Sequence, residues 1–110
     1  MMGVKSIIYE RNNNRFVVNV SNDSTLEYDE ELFPIDNKLV MNYVMSILSI
    51  TEDWKEEYLD TSLIDSDEWK LVIIYTNGNI KEYKGTGSYP DNFSSLENIN
   101  DRLLDEVRHV

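Results

Sequence analysis

Between Trp69 and Tyr75 the residues Trp69, Leu71, Ile73 and Tyr75 alternate with Lys70, Val72 and Ile74, and the run ends at Asn77-Gly78 before Asn79 to Tyr83 returns. A period of two running into Asn-Gly predicts a β-hairpin closed by a type I′ turn. Because Val72 and Ile74 are apolar as well, the first strand of that hairpin is expected to be central in its sheet and covered on both faces. Such a strand needs partners, and Val4 to Glu10 and Arg15 to Val20 supply them. Both are rich in β-branched and aromatic residues, and Arg11-Asn12-Asn13-Asn14 between them offers side chains that tolerate left-handed turn geometry. Ser24 to Tyr28 reads as a short third strand whose acidic end suits a sheet edge.

From Asp36 the period changes. Leu39, Val40, Tyr43, Val44, Ile47 and Leu48 recur at three- and four-residue steps behind Asp36 or Asn37 as N-cap, which predicts an amphipathic helix. Thr51-Glu52-Asp53 resembles a fresh helix start, and Trp54 and Tyr58 would share one face of a second helix ending near Leu59, or of the continuation of one kinked helix. Gly85-Thr86-Gly87 is expected to break the second hairpin. After Pro90, the residues Phe93, Leu96, Ile99, Leu103 and Val107 form a helical stripe, with Asp91 as N-cap and Arg108 beside the C-terminal dipole. The order β-β-(β)-α-(α)-β-β-α, with no Pro- or Gly-rich linker, predicts one α+β domain over 1–110. Its architecture would be an antiparallel sheet of two hairpins, four to five strands in all, with two or three helices packed on one face.

Absences narrow the chemistry. The 110 residues contain no Cys and one His, His109, next to the end of the chain. Disulfides, thiolate metal sites and thiol nucleophiles are therefore excluded, and a terminal His is a poor place for a fixed general base or metal ligand. No apolar run approaches the roughly 20 residues a spanning helix needs, so the expectation is a cytoplasmic protein of a bacterial host cell. Ala and Gln are missing while Asn and Ile number 12 and 10, a bias that AT-rich codons produce.

The block Trp69-x-Leu71-x-Ile73-x-Tyr75-x-Asn77-Gly78, Tyr83-x-Gly85 and Tyr89-Pro90-x-Asn92-Phe93-x-x-Leu96 resembles a pattern in small uncharacterised proteins of low-GC Gram-positive bacteria and their phages. The resemblance spans about residues 69–104. It implies a source and a fold segment, and no activity.

Charge is the sharpest functional signal. The chain carries 21 acidic against 10 basic residues, a formal net of −11. Fourteen of the acids fall in two stretches: Asp23 to Asp36, with no basic residue among its acids, and Glu52 to Glu68, relieved only by Lys55. Were the second stretch helical, its 17 residues would extend about 25 Å and offer a carboxylate about every 3 Å, close to the phosphate spacing of a DNA strand. A net charge of this sign repels phosphate, so the aromatic residues, Trp54, Trp69 and the seven Tyr, are expected in the core and not on a nucleic-acid stacking platform. Lys84-Gly85-Thr86-Gly87-Ser88 lacks the spacing of a phosphate-binding loop and reads as a connection. Asp60, Asp65, Asp67 and Glu68 lack the glycine and the order of an EF-hand.

These features predict a small acidic non-catalytic binding protein with no cofactor and no metal. It would dock a basic partner, a nucleic-acid-binding effector or nuclease, through Asp29, Glu30, Glu31, Glu52, Asp53, Trp54, Glu56, Glu57, Tyr58, Asp60, Asp65, Asp67 and Glu68. The profile resembles that of phage anti-defence inhibitors such as anti-CRISPR proteins, which would make the acids a nucleic-acid mimic. Two alternatives stand beside it: an immunity protein that neutralises a nuclease toxin, and a small enzyme using the Asp60 to Glu68 carboxylates, with or without a metal.

Overall fold

The computed structural model describes residues 3–60, 62 and 67–109. The elements in chain order are β1 (Val4–Arg11), β2 (Asn14–Asn19), β3 (Thr25–Tyr28), β4 (Glu31–Pro34), α1 (Asn37–Ile50), β5 (Glu57–Leu59), β6 (Glu68–Tyr75), β7 (Ile80–Thr86) and α2 (Phe93–Arg108). The strands form one sheet in the order β4-β3-β2-β1-β6-β7-β5, antiparallel throughout except where β5 joins β7 in parallel. The α+β class stands as the sequence predicts, with seven strands where the sequence pattern gave four to five.

The chain makes a four-strand meander to one edge, then has to reach the other. Helix α1 carries it there: it follows the edge strand β4 and delivers the chain to the opposite edge strand β5. Its 14 residues extend about 21 Å. Asp36 caps its start, its side chain accepting from Lys38 N at 2.7 Å, and the Thr51 hydroxyl closes its end on the Ile47 carbonyl at 2.9 Å.

One side of the sheet makes the core. Tyr28, Phe16, Tyr9, Leu71 and Tyr83 form one cross-strand row, and Leu26, Val18, Ile7 and Ile73 the next. All but the half-buried Tyr28 are buried, packed beneath Val40, Tyr43, Val44 and Ile47 of α1 and Phe93, Leu96, Leu103 and Val107 of α2. The two helices are pinned to each other by Tyr43, whose hydroxyl donates to Asn100 Oδ1 at 2.6 Å in a buried site. Burial pushes the Tyr43 phenol's pKa up.

Several expectations give way, each for a visible reason. The second helix expected to end near Leu59 is replaced by β5. The exposed edge of β7 offers unpaired backbone groups, and Lys84 N donates to Glu56 O while Asp60 N donates to Thr86 O, both at 2.9 Å. Among the described residues of 52–68, the regular helical spacing of carboxylates is therefore not formed. The edge on the other side is β4, which lies outside β3. The hairpin after Tyr75 closes with three loop residues and not two. Gly78 N donates to Tyr75 O at 3.0 Å, and only Gly78 of the Asn-Gly pair has positive φ, at 91°, which gives a turn with a glycine bulge instead of type I′. Strand β6 is central, but Val72 and Ile74 are half-buried on a sheet face that the helices leave open.

Gly85 does not break β7. It sits within the strand because the Trp69 indole lies where a Cβ would project, with Trp69 Cε2 2.6 Å from that position. The cap of α2 is Asn92 and not Asp91, and its side chain is turned to another task described below. Among the described residues, no helix is long and apolar enough to cross a membrane.

Candidate partner-binding groove

The acids predicted to bind a partner fall into three environments. Asp29 and Glu30 form the two-residue turn between β3 and β4, with φ of 52° and 64°, and Glu31 starts β4; all three are exposed. Left-handed geometry at both loop positions is what a type I′ hairpin demands, and it is unusual for Glu. Glu52, Asp53 and Glu56, between α1 and β5, and Glu57, which starts β5, lie exposed on the other flank. With six strand spacings between β4 and β5, about 29 Å separates the two edges, so the two acidic stretches do not merge into one patch.

The third environment is internal. Arg11, at the end of β1, donates from Nε to Asp67 Oδ2 at 2.7 Å and from Nη1 to Glu97 Oε1 and Oε2 at 2.7 and 2.6 Å. Tyr9 donates to Glu97 Oε2 at 2.9 Å, Tyr89 to Asp67 Oδ2 at 2.7 Å, and Asn12 Nδ2 to Asp67 Oδ1 at 2.7 Å. The guanidinium also lies 5.7 Å from the Tyr89 ring centre and 5.8 Å from that of Phe93. This clasp ties β1, the residue before β6 and α2 together. The Tyr89 and Arg11 hydrogen bonds hold the Asp67 carboxyl below its ordinary range. Glu97 and Asp67 in turn push the Arg11 pKa up, and burial together with Glu97 raises that of Tyr9.

Asp67 is thus part of the framework. Glu68 starts β6 with its backbone bound to Asn12, and the Asp60 carboxylate accepts from the Ser62 hydroxyl at 2.6 Å, which lowers its pKa. Asp65 lies outside the described residues. Among the described residues, no group of three or more His, Asp or Glu side chains is placed to hold a metal ion.

Between the end of α1 and the start of α2 the structure forms a groove of about 460 Å³ lined by two acids, Asp53 and Asp91, one cation, Lys55, and the rings of Trp54, Tyr58 and Tyr89 among others. Asn92 builds its wall. Its Oδ1 accepts from Trp54 Nε1 at 2.6 Å and its Nδ2 donates to the Ile50 carbonyl at 2.9 Å, so the residue buckles the end of α1 to Trp54 instead of capping α2. Trp54 stands edge-on to Trp69 and to Tyr83, each at 5.6 Å, and stacks on Phe93 at 6.2 Å. Tyr58 packs on Trp69 at 6.0 Å and accepts from Lys55 N at 2.8 Å. The aromatic walls are therefore fixed by the core behind them.

The groove's acids are placed against the fold's electrostatic interest. The C-terminus of α1 carries no basic residue in its last turn and is followed by Glu52 and Asp53, where the helix dipole already presents negative charge. Among the described residues, neither of these acids nor Glu56, Glu57 or Asp91 takes part in an ion pair. The sequence pattern singled out Trp54, Tyr58 and the acids around them. It missed Tyr89 and Asp91, which come from 35 residues away in the loop before α2; their only local signal was the Tyr-Pro-Asp turn.

No protein-family model, curated protein or solved structure matches the chain.

Proposed function

We propose that this protein is a non-enzymatic binding module that docks a basic, nucleic-acid-handling protein and blocks the surface that would take phosphate. The observation that carries the reading is the groove at Asp53, Trp54, Tyr58, Tyr89 and Asp91, where unpaired carboxylates rim a fixed aromatic wall. An arginine or lysine side chain fits that chemistry: the head meets Asp53 or Asp91, and the planar guanidinium or aliphatic stem lies on an aromatic ring. Exposed Glu52 and Glu56 flank the groove and raise the local potential that steers a cation in.

The acids at Asp29 to Glu31 act as a second, remote source of attraction and not as part of the same contact. Inhibition follows from occupancy, since a side chain held in the groove is withdrawn from nucleic acid. The test is a titration of an arginine-rich peptide into the protein, followed by calorimetry at two ionic strengths. Saturable one-site binding that weakens with salt, and that is lost in Asp53→Lys, is expected. Binding that survives Asp53→Lys and Asp91→Lys together would overturn the reading.

A further inference from the structure

Both helices pack on one face of the sheet, and among the described residues no element covers the other. The shortest dimension of the molecule is 20 Å, which accommodates one sheet and one helix layer. An antiparallel sheet with a solvated face ordinarily alternates apolar and polar residues, so that the wet face is polar. Here that face has an apolar centre, buried at Val17, half-buried at Ile8, Val72 and Ile74, and exposed at Ile80. Val17, Ile8 and Val72 stand side by side across β2, β1 and β6, and Ile74 and Ile80 follow across β6 and β7. Ile80 is 63% exposed. Leu32 on one edge strand and Leu59 on the other, 65% and 60% exposed, extend the same face outward.

We infer that this face is covered by a second copy of the chain, giving a two-fold dimer in which two open sheets pack on each other between outward helix layers. Three observations select that occupant. The paired residues on this face include three cations, Arg15, Lys70 and Lys84, against five carboxylates, Glu10, Glu27, Glu57, Glu68 and Glu82. Its net is −2 where the whole chain carries −11, so two copies meeting on it bring together only a small part of the chain's negative charge. One cross-strand row reads Arg15, Glu10, Lys70, Lys84, Glu57 from β2 to β5. Reversed about Lys70, as a two-fold axis along the strands would place it, that row sets Arg15 against Glu57 and Glu10 against Lys84, leaving only Lys70 facing its own kind. Finally, the five strands that this register overlaps, β2, β1, β6, β7 and β5, at ~4.8 Å spacing and about 21 Å mean length make a face of about 500 Å², below the ~800 Å² per partner of a standard interface and of the size that suits a weak, concentration-dependent dimer.

The dimer does not use the groove, which lies on the helix side, and the two respond oppositely to salt. Screening relieves the long-range repulsion between the exposed charges of two acidic copies, while the Arg15–Glu57 and Glu10–Lys84 pairs, covered in the dimer, are screened less, so salt strengthens the dimer, whereas it weakens capture of a cation. Sedimentation velocity on the full chain, over a concentration series at about 0.05 and 0.5 M salt, reads this directly. The expected result is a species of twice the 12.9 kDa chain mass that becomes more abundant at the higher salt. Ile80→Lys and Val72→Lys should each weaken it at least tenfold, with Ile80→Lys free of folding cost because the side chain is already in water. Met45→Lys, on the exposed side of α1, should leave it unchanged. A monomer at every concentration and both salts would overturn the proposal, as would a dimer indifferent to both sheet variants or broken by Met45→Lys. Asp53→Lys should abolish peptide capture without touching the dimer, so the two proposals fail separately.

Discussion

The Arg11 clasp and the Trp54 groove are built from the same kinds of residue, carboxylates beside aromatic rings, and the fold treats them in opposite ways. In the clasp, Asp67 and Glu97 share one guanidinium and receive three further hydrogen bonds, from Tyr9, Tyr89 and Asn12. At the groove, Asp53 in its lining and Glu52 beside it follow a helix C-terminus with no basic residue in its last turn to offset them. Charge in the clasp holds β1 to α2, while charge in the groove works against its own helix. Tyr89 touches both regions, bonding Asp67 on one side and lining the groove on the other, so the clasp fixes one groove wall. A fold retains locally unfavourable acids where something other than stability selects them.

That contrast can be broken at either end. The largest expected effect is Arg11→Leu, which strands two half-buried carboxylates and should lower stability by about 2 kcal/mol in a urea titration, with the m-value unchanged. Lowering pH should erase the difference. Because the Asp67 pKa is depressed in the folded state, first by Tyr89 and then by Arg11, its contribution is complete above the unfolded carboxylate value near ~3.9 and fades as pH falls through the folded one. The gap between wild type and Arg11→Leu, followed by the acid unfolding midpoint, should therefore narrow below about pH 4.

In the groove the sign reverses. Glu52→Lys with Asp53→Lys should raise stability by about 0.5–1 kcal/mol through the α1 dipole, while abolishing capture of a basic peptide. The smallest effect expected is at the remote acidic edge. Glu30→Gly removes a non-glycine residue from φ of 64° and should stabilise by about 0.5–1 kcal/mol, with peptide affinity reduced less than twofold. A loss of stability from the Glu52/Asp53 change would mean that these acids serve the fold after all.

What the sequence reveals of this architecture is its local part. Period-two alternation at Trp69 to Tyr75 and the three-four stripe at Leu39 to Leu48 report how side chains divide between core and water, and those elements form where expected. Strand β5 was illegible because its reason for existing is the vacant edge of β7, more than twenty residues further along the chain. Trp54 and Tyr58, four apart, satisfy a helical pattern equally well, and tertiary pairing decides. The Asn77-Gly78 turn was located correctly, but its class depended on Thr76 joining the loop. The acids were conspicuous as a composition, yet nothing in their spacing separates Asp67, which Arg11 consumes, from Asp53, which stays exposed in the groove lining. Only the long-range contact with β1 draws that line.

The most direct test uses the two indole N–H groups as reporters in a nitrogen-proton correlation spectrum while an arginine-rich peptide is added at low salt. Trp54 Nε1 donates to Asn92 in the groove wall, and Trp69 Nε1 donates to the Ser88 carbonyl within the fold. The account predicts saturable shifts largest at the Trp54 indole, the Asn92 side-chain amide and the amides of Asp53 and Asp91, with smaller ones at Trp69. Shifts confined to Asp29 to Glu31, or spread evenly over every acidic residue without saturating, would contradict it.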